Sequence, residues 1–174
     1  ERRENFQLME TIPGKNNSPR ENLRAIRLLC IALITGVSIF AFIMVVLVYM
    51  NGPGFDTVKI RSYREPILAG TALITLISYG WALRSYNKKI KELQQSGNTL
   101  MDRLNVYREI LIKYMAGAEM PAMLAIILYF LSGLQLLILI PLLMLLAMLW
   151  KAPFGRKWIT ETGAGWQDEE KIKS

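Results

Sequence analysis

Four stretches of this chain are apolar, three of them uncharged and the third broken by a single carboxylate, and polar stretches separate them. Residues 28–50 form the first, long enough for an α-helix to cross a bilayer, which takes about 20 residues. Residues 66–83, 114–131 and 134–150 are the others. The last is short and contains Pro141, so it is expected to be kinked. Ser18-Pro19-Arg20-Glu21 carries helix-start signals, with Ser18 as N-cap, Pro19 in the first helical position and Glu21 able to complete a capping box. Asn51-Gly52-Pro53-Gly54 is a strong stop.

Between the second and third stretches the period persists but the surroundings turn polar. Tyr86, Ile90 and Leu93 recur at helical spacing, then Ser96-Gly97-Asn98 breaks the pattern. Thr99 with Asp102 can cap a new helix, and Leu100, Leu104, Tyr107 and Leu111 repeat the stripe. Two such stripes joined by a tight turn predict an antiparallel helical hairpin outside the membrane, over residues 84–113. The expected fold is therefore an all-α membrane protein of four transmembrane helices, arranged as two α-hairpins, with a cytoplasmic hairpin between spans two and three. A polar N-terminal tail (1–17) and a polar C-terminal tail (151–174) flank the membrane domain (18–150). The roughly twenty-five polar residues that precede the first apolar run and the lack of an A-x-A-like exit read against a cleaved signal peptide.

Charge sets the orientation. Of the 21 Lys and Arg, eighteen fall before span one, in the hairpin or in the C-terminal tail; only Lys59, Arg61 and Arg64 lie between spans one and two. The positive-inside rule then puts both termini and the hairpin in the cytoplasm, which for a bacterial protein means the inner membrane. An overall balance of +7 on a chain that is 52% hydrophobic fits basic membrane edges and reads against nucleic-acid binding. The expected partners are the lipid bilayer and other membrane-protein subunits, and a homo-oligomer is compatible with the uniformly apolar fourth span.

Candidate chemistry is sparse. There is no histidine and one cysteine, Cys30, so the common zinc, haem and Ser–His or Cys–His arrangements are out of reach. No cofactor, metal site or enzymatic activity is expected. The residue that stands out is Glu119, a carboxylate inside the third apolar stretch, where a charge costs at least ~2.5–3.5 kcal/mol. It lies five residues past Tyr114, about 8 Å in. Thr35 on span one and Ser78 and Tyr79 on span two sit at similar depth. Thr71, Thr75 and Ser78 form a polar stripe, joined by Ser38 on span one. A candidate intramembrane polar site thus comprises Glu119, Thr35, Thr75, Ser78, Tyr79, Arg84 and Lys113. The alternative is that the hydroxyls bond their own backbones and Glu119 is neutral, or paired with Arg84, Lys113 or Arg24, and only locks the bundle. Arg103, Arg108, Lys88, Lys91, Trp158 and Trp166 are candidate partner-docking residues, the first four on the hairpin and the tryptophans in a loosely held tail.

Spans one and three also align at an offset of 84, Arg24 over Arg108 and Thr35 over Glu119, which suggests two hairpins of the same orientation. Glu119-x-Pro121-Ala122, with Ile126, Tyr129, Leu131 and Ser132-Gly133, resembles a pattern in uncharacterised four-span inner-membrane proteins of Bacteroidota. The likeness lies mainly over residues 104–133, with Met120 where that family has Gly and Leu124 where it has Phe. It implies a four-helix inner-membrane fold with no assigned activity. The functional expectation is a non-catalytic accessory subunit of a membrane complex, with proton- or cation-coupled transport through Glu119 as the alternative.

Overall fold

The computed structural model describes residues 19–54, 62–96, 99–154 and 157–163. The 1–17 tail, the Ser18 cap, Lys59, Arg61, Gly97, Asn98, Arg156 and Trp166 lie outside them. About 90% of the described residues are helical, and none forms a strand. In order come α1 (Pro19–Asn51), α2 (Arg64–Gln95), α3 (Leu100–Ser132), a 3-10 segment (Gln135–Ile138), α4 (Leu139–Lys151) and α5 (Lys157–Thr162). Three helices, α1 to α3, are long and apolar enough to cross a membrane. At 32 or 33 residues each, they measure roughly 50 Å, well beyond the ~30 Å of hydrocarbon. In a bilayer, part of each would therefore stand outside the hydrocarbon.

The predicted boundaries hold where local chemistry sets them. α1 is already helical at Pro19, the first described residue, and past its end Gly52 takes a positive φ of 78°. The Thr99 side chain accepts from the Asp102 backbone N–H at 3.4 Å, and its hydroxyl donates to the Asp102 carboxylate at 2.6 Å. α3 stops at Gly133, in the left-handed region (φ 68°), whose N–H donates to Tyr129 at 2.7 Å. A side chain there would also press on Pro53, with a Cβ 3.1 Å from the proline ring. The fourth apolar stretch departs from expectation. Pro141 lies in the first turn of α4, and the preceding turn is 3-10 rather than a kinked α-helix. Because Pro141 has no N–H to offer Leu137, the chain winds more tightly before it.

α3 is the central helix, packed by α1, α2 and α4. Of the most apolar stretch in each long helix, 6% is buried in α1, 17% in α2 and 44% in α3. α1 lies parallel to α3: Asn22 donates to the Asn105 side chain at 2.8 Å near one end, and the Gly54 N–H donates to Phe130 at 3.0 Å near the other. α2 runs antiparallel to α3, as the pairs Ala82/Gly117 and Tyr86/Tyr114 show. α1 and α2, expected to pair as one hairpin, hardly touch, because α3 takes the position between them. An apolar stripe on each of α1 and α2 is better buried on the central helix than on the other.

Toward the turn, Tyr86, Ile90 and Leu93 of α2 and Leu104, Tyr107 and Leu111 of α3 are all buried. The two stripes satisfy each other, as their spacing predicts. Cys30 is fully buried as a small packing residue.

α2 and α3 approach closely at Gly117, where an added Cβ would come within 2.6 Å of the Ala82 Cβ. Gly117→Ala is therefore expected to cost about 1–3 kcal/mol, and Ala82→Gly in the same chain to recover most of it. Thermal unfolding of the single and double variants in detergent measures both. Additive losses would contradict the contact.

Candidate functional site

Glu119 lies on the flank of the buried face of α3: Ala118, Pro121 and Ala122 beside it are buried, Met120 is exposed and Glu119 itself is half-buried. It makes no hydrogen bond or ion pair among the described residues. The partners expected for it are engaged elsewhere or turned away. Lys113 bonds Glu109 one turn back, on an exposed face, and that bond holds the Glu109 carboxyl below the usual carboxylate range. Arg84 and Arg24 are exposed.

Nor do the hydroxyls gather around Glu119. Thr35 is exposed, on a different face of α1 from buried Val37. Thr71 and Thr75 are buried, donating to the backbone carbonyls of Ile67 and Thr71 at 2.7 and 2.8 Å. Ser38 likewise donates to the Ile34 backbone carbonyl at 2.8 Å. Ser78 is half-buried. Tyr79 receives a hydrogen bond from Tyr114 at 3.3 Å. Of the seven predicted residues, the structure joins only Tyr79 to a polar network, and Glu119 is not in it.

That network is made of tyrosines, at the level where the apolar runs of α2 and α3 give way to polar arms. Tyr114 is central: its ring lies 5.1 Å from Tyr86 and 6.2 Å from Tyr79, and its hydroxyl also reaches the Ala147 carbonyl of α4. The Lys151 ammonium sits over the Tyr86 ring, 4.6 Å from its centre, a cation–π contact at the end of α4. Farther along the arms, Tyr107 donates to the Glu161 carboxylate at 2.6 Å. The Tyr86 hydroxyl is buried with no hydrogen bond of its own; burial first, and then the Glu161 charge, hold it above the usual tyrosine range. Burial first, and then neighbouring Tyr86 and Glu161, hold the Tyr107 hydroxyl well above the usual tyrosine range, so it remains a donor.

Glu161 belongs to α5, within the C-terminal tail for which a loose hold is expected. The structure docks it on the two arms. Trp158 and Thr162 are buried, Gln94 donates to the Thr160 carbonyl at 2.8 Å, and Arg103 donates to the carbonyls of Gly163 and Ser96 at 3.0 and 3.1 Å. Lys157 folds back to the Trp150 carbonyl, where burial lowers its pKa. Arg27 of α1 ties in the same segment through the Pro153 carbonyl at 3.1 Å.

Two residues assigned to partner docking are therefore internal. Trp158 is core rather than a membrane or partner anchor, and Arg103 is spent on backbone carbonyls. A six-residue amphipathic turn is too short for periodicity to reveal, which is why α5 was missed. Arg108, Lys88 and Lys91 are exposed, Lys88 at 4.0 Å from Glu92.

Comparison with protein-family models, curated proteins and solved structures found no match. The chemistry of the site is read from its geometry. Aromatic rings, one cation–π contact and one charge-assisted hydrogen bond fasten three helices and the C-terminal segment together.

Tyr107→Phe removes the donor that holds Glu161 and is expected to weaken α5 docking by about 1.5–3 kcal/mol. Hydrogen exchange over residues 157–162 should then speed by roughly tenfold or more, with α1 unchanged. Unaltered exchange in α5 would show that Trp158 packing alone holds the segment.

Proposed function

We propose that this protein is a non-catalytic integral membrane protein, a structural or accessory subunit of a larger membrane complex. The observation that carries this reading is how little of its apolar surface the chain covers by itself. In α1 only 6% of the most apolar stretch is buried, and Leu28, Ile39, Phe42 and Tyr49 are 55–89% exposed. On α4, Leu142, Leu143, Leu146 and Trp150 are also uncovered. Lipid must cover some of these faces, and α1 and α4 offer separate ones to neighbouring subunits.

Local engagement of the hydroxyls supports packing over conduction. Thr71, Thr75, Ser38 and Ser132 each bond a carbonyl of their own helix, which leaves them poorly suited to line an ion path.

In this reading the chain crosses four times. The 3-10 segment and α4 together extend roughly 28 Å, close to the hydrocarbon thickness, so the apolar fourth stretch completes the set. Both termini and the arms of α2 and α3 then lie on the side that carries eighteen of the 21 cations, the cytoplasmic side. The resemblance to four-span proteins of Bacteroidota, mainly over residues 104–133, is in keeping with a bacterial inner membrane.

The second reading, proton- or cation-coupled transport, rests on Glu119, which is half-buried and has no partner among the described residues. One substitution separates the two. On the subunit reading, Glu119→Gln leaves the mass of the assembly, measured after mild-detergent extraction, and any pH-dependent flux in proteoliposomes unchanged. Intact assembly with loss of a pH-dependent flux that the unaltered protein supports would overturn it.

A further inference from the structure

A groove of about 650 Å³ follows the seam between α2 and α3. Ala82 and Gly117 form its floor, where the missing side chain at Gly117 lets the helices close up. At one end stand Trp81 and Met120, 73% and 74% exposed. At the other stand Lys89 of α2 and Lys113 of α3, with Ser85 between the two ends. Trp81 and Lys89 are eight residues apart, about 12 Å along the helix. The apolar end belongs to the membrane-crossing runs and the lysine end to the polar arms, so the groove straddles the level at which lipid phosphates lie. Glu119 does not line it.

We infer that this groove binds one anionic phospholipid, with the phosphate between Lys89 and Lys113 and the start of an acyl chain against Trp81, Ala82, Gly117 and Met120. Charge complementarity selects this occupant. Glu109 bonds Lys113, and Lys89 lies near enough to help keep Glu109 ionised. Two ammonium groups facing one carboxylate leave one positive charge, matching the single negative charge of a phosphodiester. The Lys113–Glu109 pair is 59% and 62% exposed and is readily rearranged, because surface pairs contribute little. The groove's size is that of a small-molecule site, roughly 300–1,000 Å³. The inference goes beyond the subunit reading, and rests only on α2 and α3 entering the bilayer.

The test uses the full chain, reconstituted in phosphatidylcholine with phosphatidylglycerol, released into mild detergent and weighed by native mass spectrometry. One phosphatidylglycerol is expected to stay with each chain in preference to phosphatidylcholine. Lys89→Ala with Lys113→Ala should reduce its occupancy roughly 10- to 30-fold, and the two Lys→Arg changes should restore it. Lys88→Ala with Lys91→Ala removes the same charge from residues that do not line the groove, and should leave occupancy unchanged. Ser85→Trp should expel the lipid by filling the groove without altering charge. Each variant is first checked for helix content and a single elution peak.

Equal retention of the two lipids would overturn the inference, as would equal loss in the Lys88/Lys91 variant, which would mean diffuse surface attraction. Displacement by millimolar inorganic phosphate, or a dimer that Ser85→Trp abolishes, would overturn it in favour of a free anion or a second copy.

Discussion

The absence of a side chain at Gly117 lets α2 and α3 approach until Ala82 fills the space, and much of the molecule follows from that contact. It fixes the antiparallel register of the two helices, which brings Tyr79, Tyr86 and Tyr114 to one level and lines up the stripes of the polar arms. Dispersion and the fit of backbone to backbone hold such a seam inside a bilayer, where burial of apolar surface gives little drive because lipid is equally apolar. With α2 and α3 set in a bilayer, the ordinary hydrophobic effect would take over beyond its edge, where Ile90, Leu93, Leu104 and Leu111 belong to the buried core. The same two helices are thus held by different forces along their length.

Tyrosines mark the change from one regime to the other. An aromatic ring can pack in the apolar part while its hydroxyl finds a partner at the polar edge. Tyr114 does so toward Tyr79 and α4, and Tyr107 toward Glu161. Lys151, at the end of α4, adds its charge to the face of Tyr86, where a cation also meets the negative end of the helix dipole. The cluster links the C-terminal segment to the central hairpin. Through Arg27 and Pro153 it reaches α1 as well.

Local chemistry made the helices readable in advance. Pro19, the breakers after Asn51, the Thr99–Asp102 cap and Gly133 act through their own backbones and nearest neighbours, so the sequence is enough to locate them. The stripes of the polar arms were equally legible, because a period of 3.6 identifies the face that will be buried. Inside the membrane-crossing stretches that signal fails. When every side is apolar, nothing in the order of residues says which side meets protein and which meets lipid, and α1 with its few buried positions could not be told from α3 with its many.

Sequence by itself determined an all-helical chain with apolar runs of membrane-crossing length, their order, their ends and the polar arms between the second and third. Tertiary structure alone decided that α3 lies between α1 and α2, that Thr35 is exposed and unbonded to Glu119, and that Trp158 and Arg103 hold the C-terminal segment instead of facing outward. These depend on which surfaces meet across dozens of intervening residues. Depth along a helix can be counted from the sequence, but the direction a side chain faces is set by the neighbour it packs against.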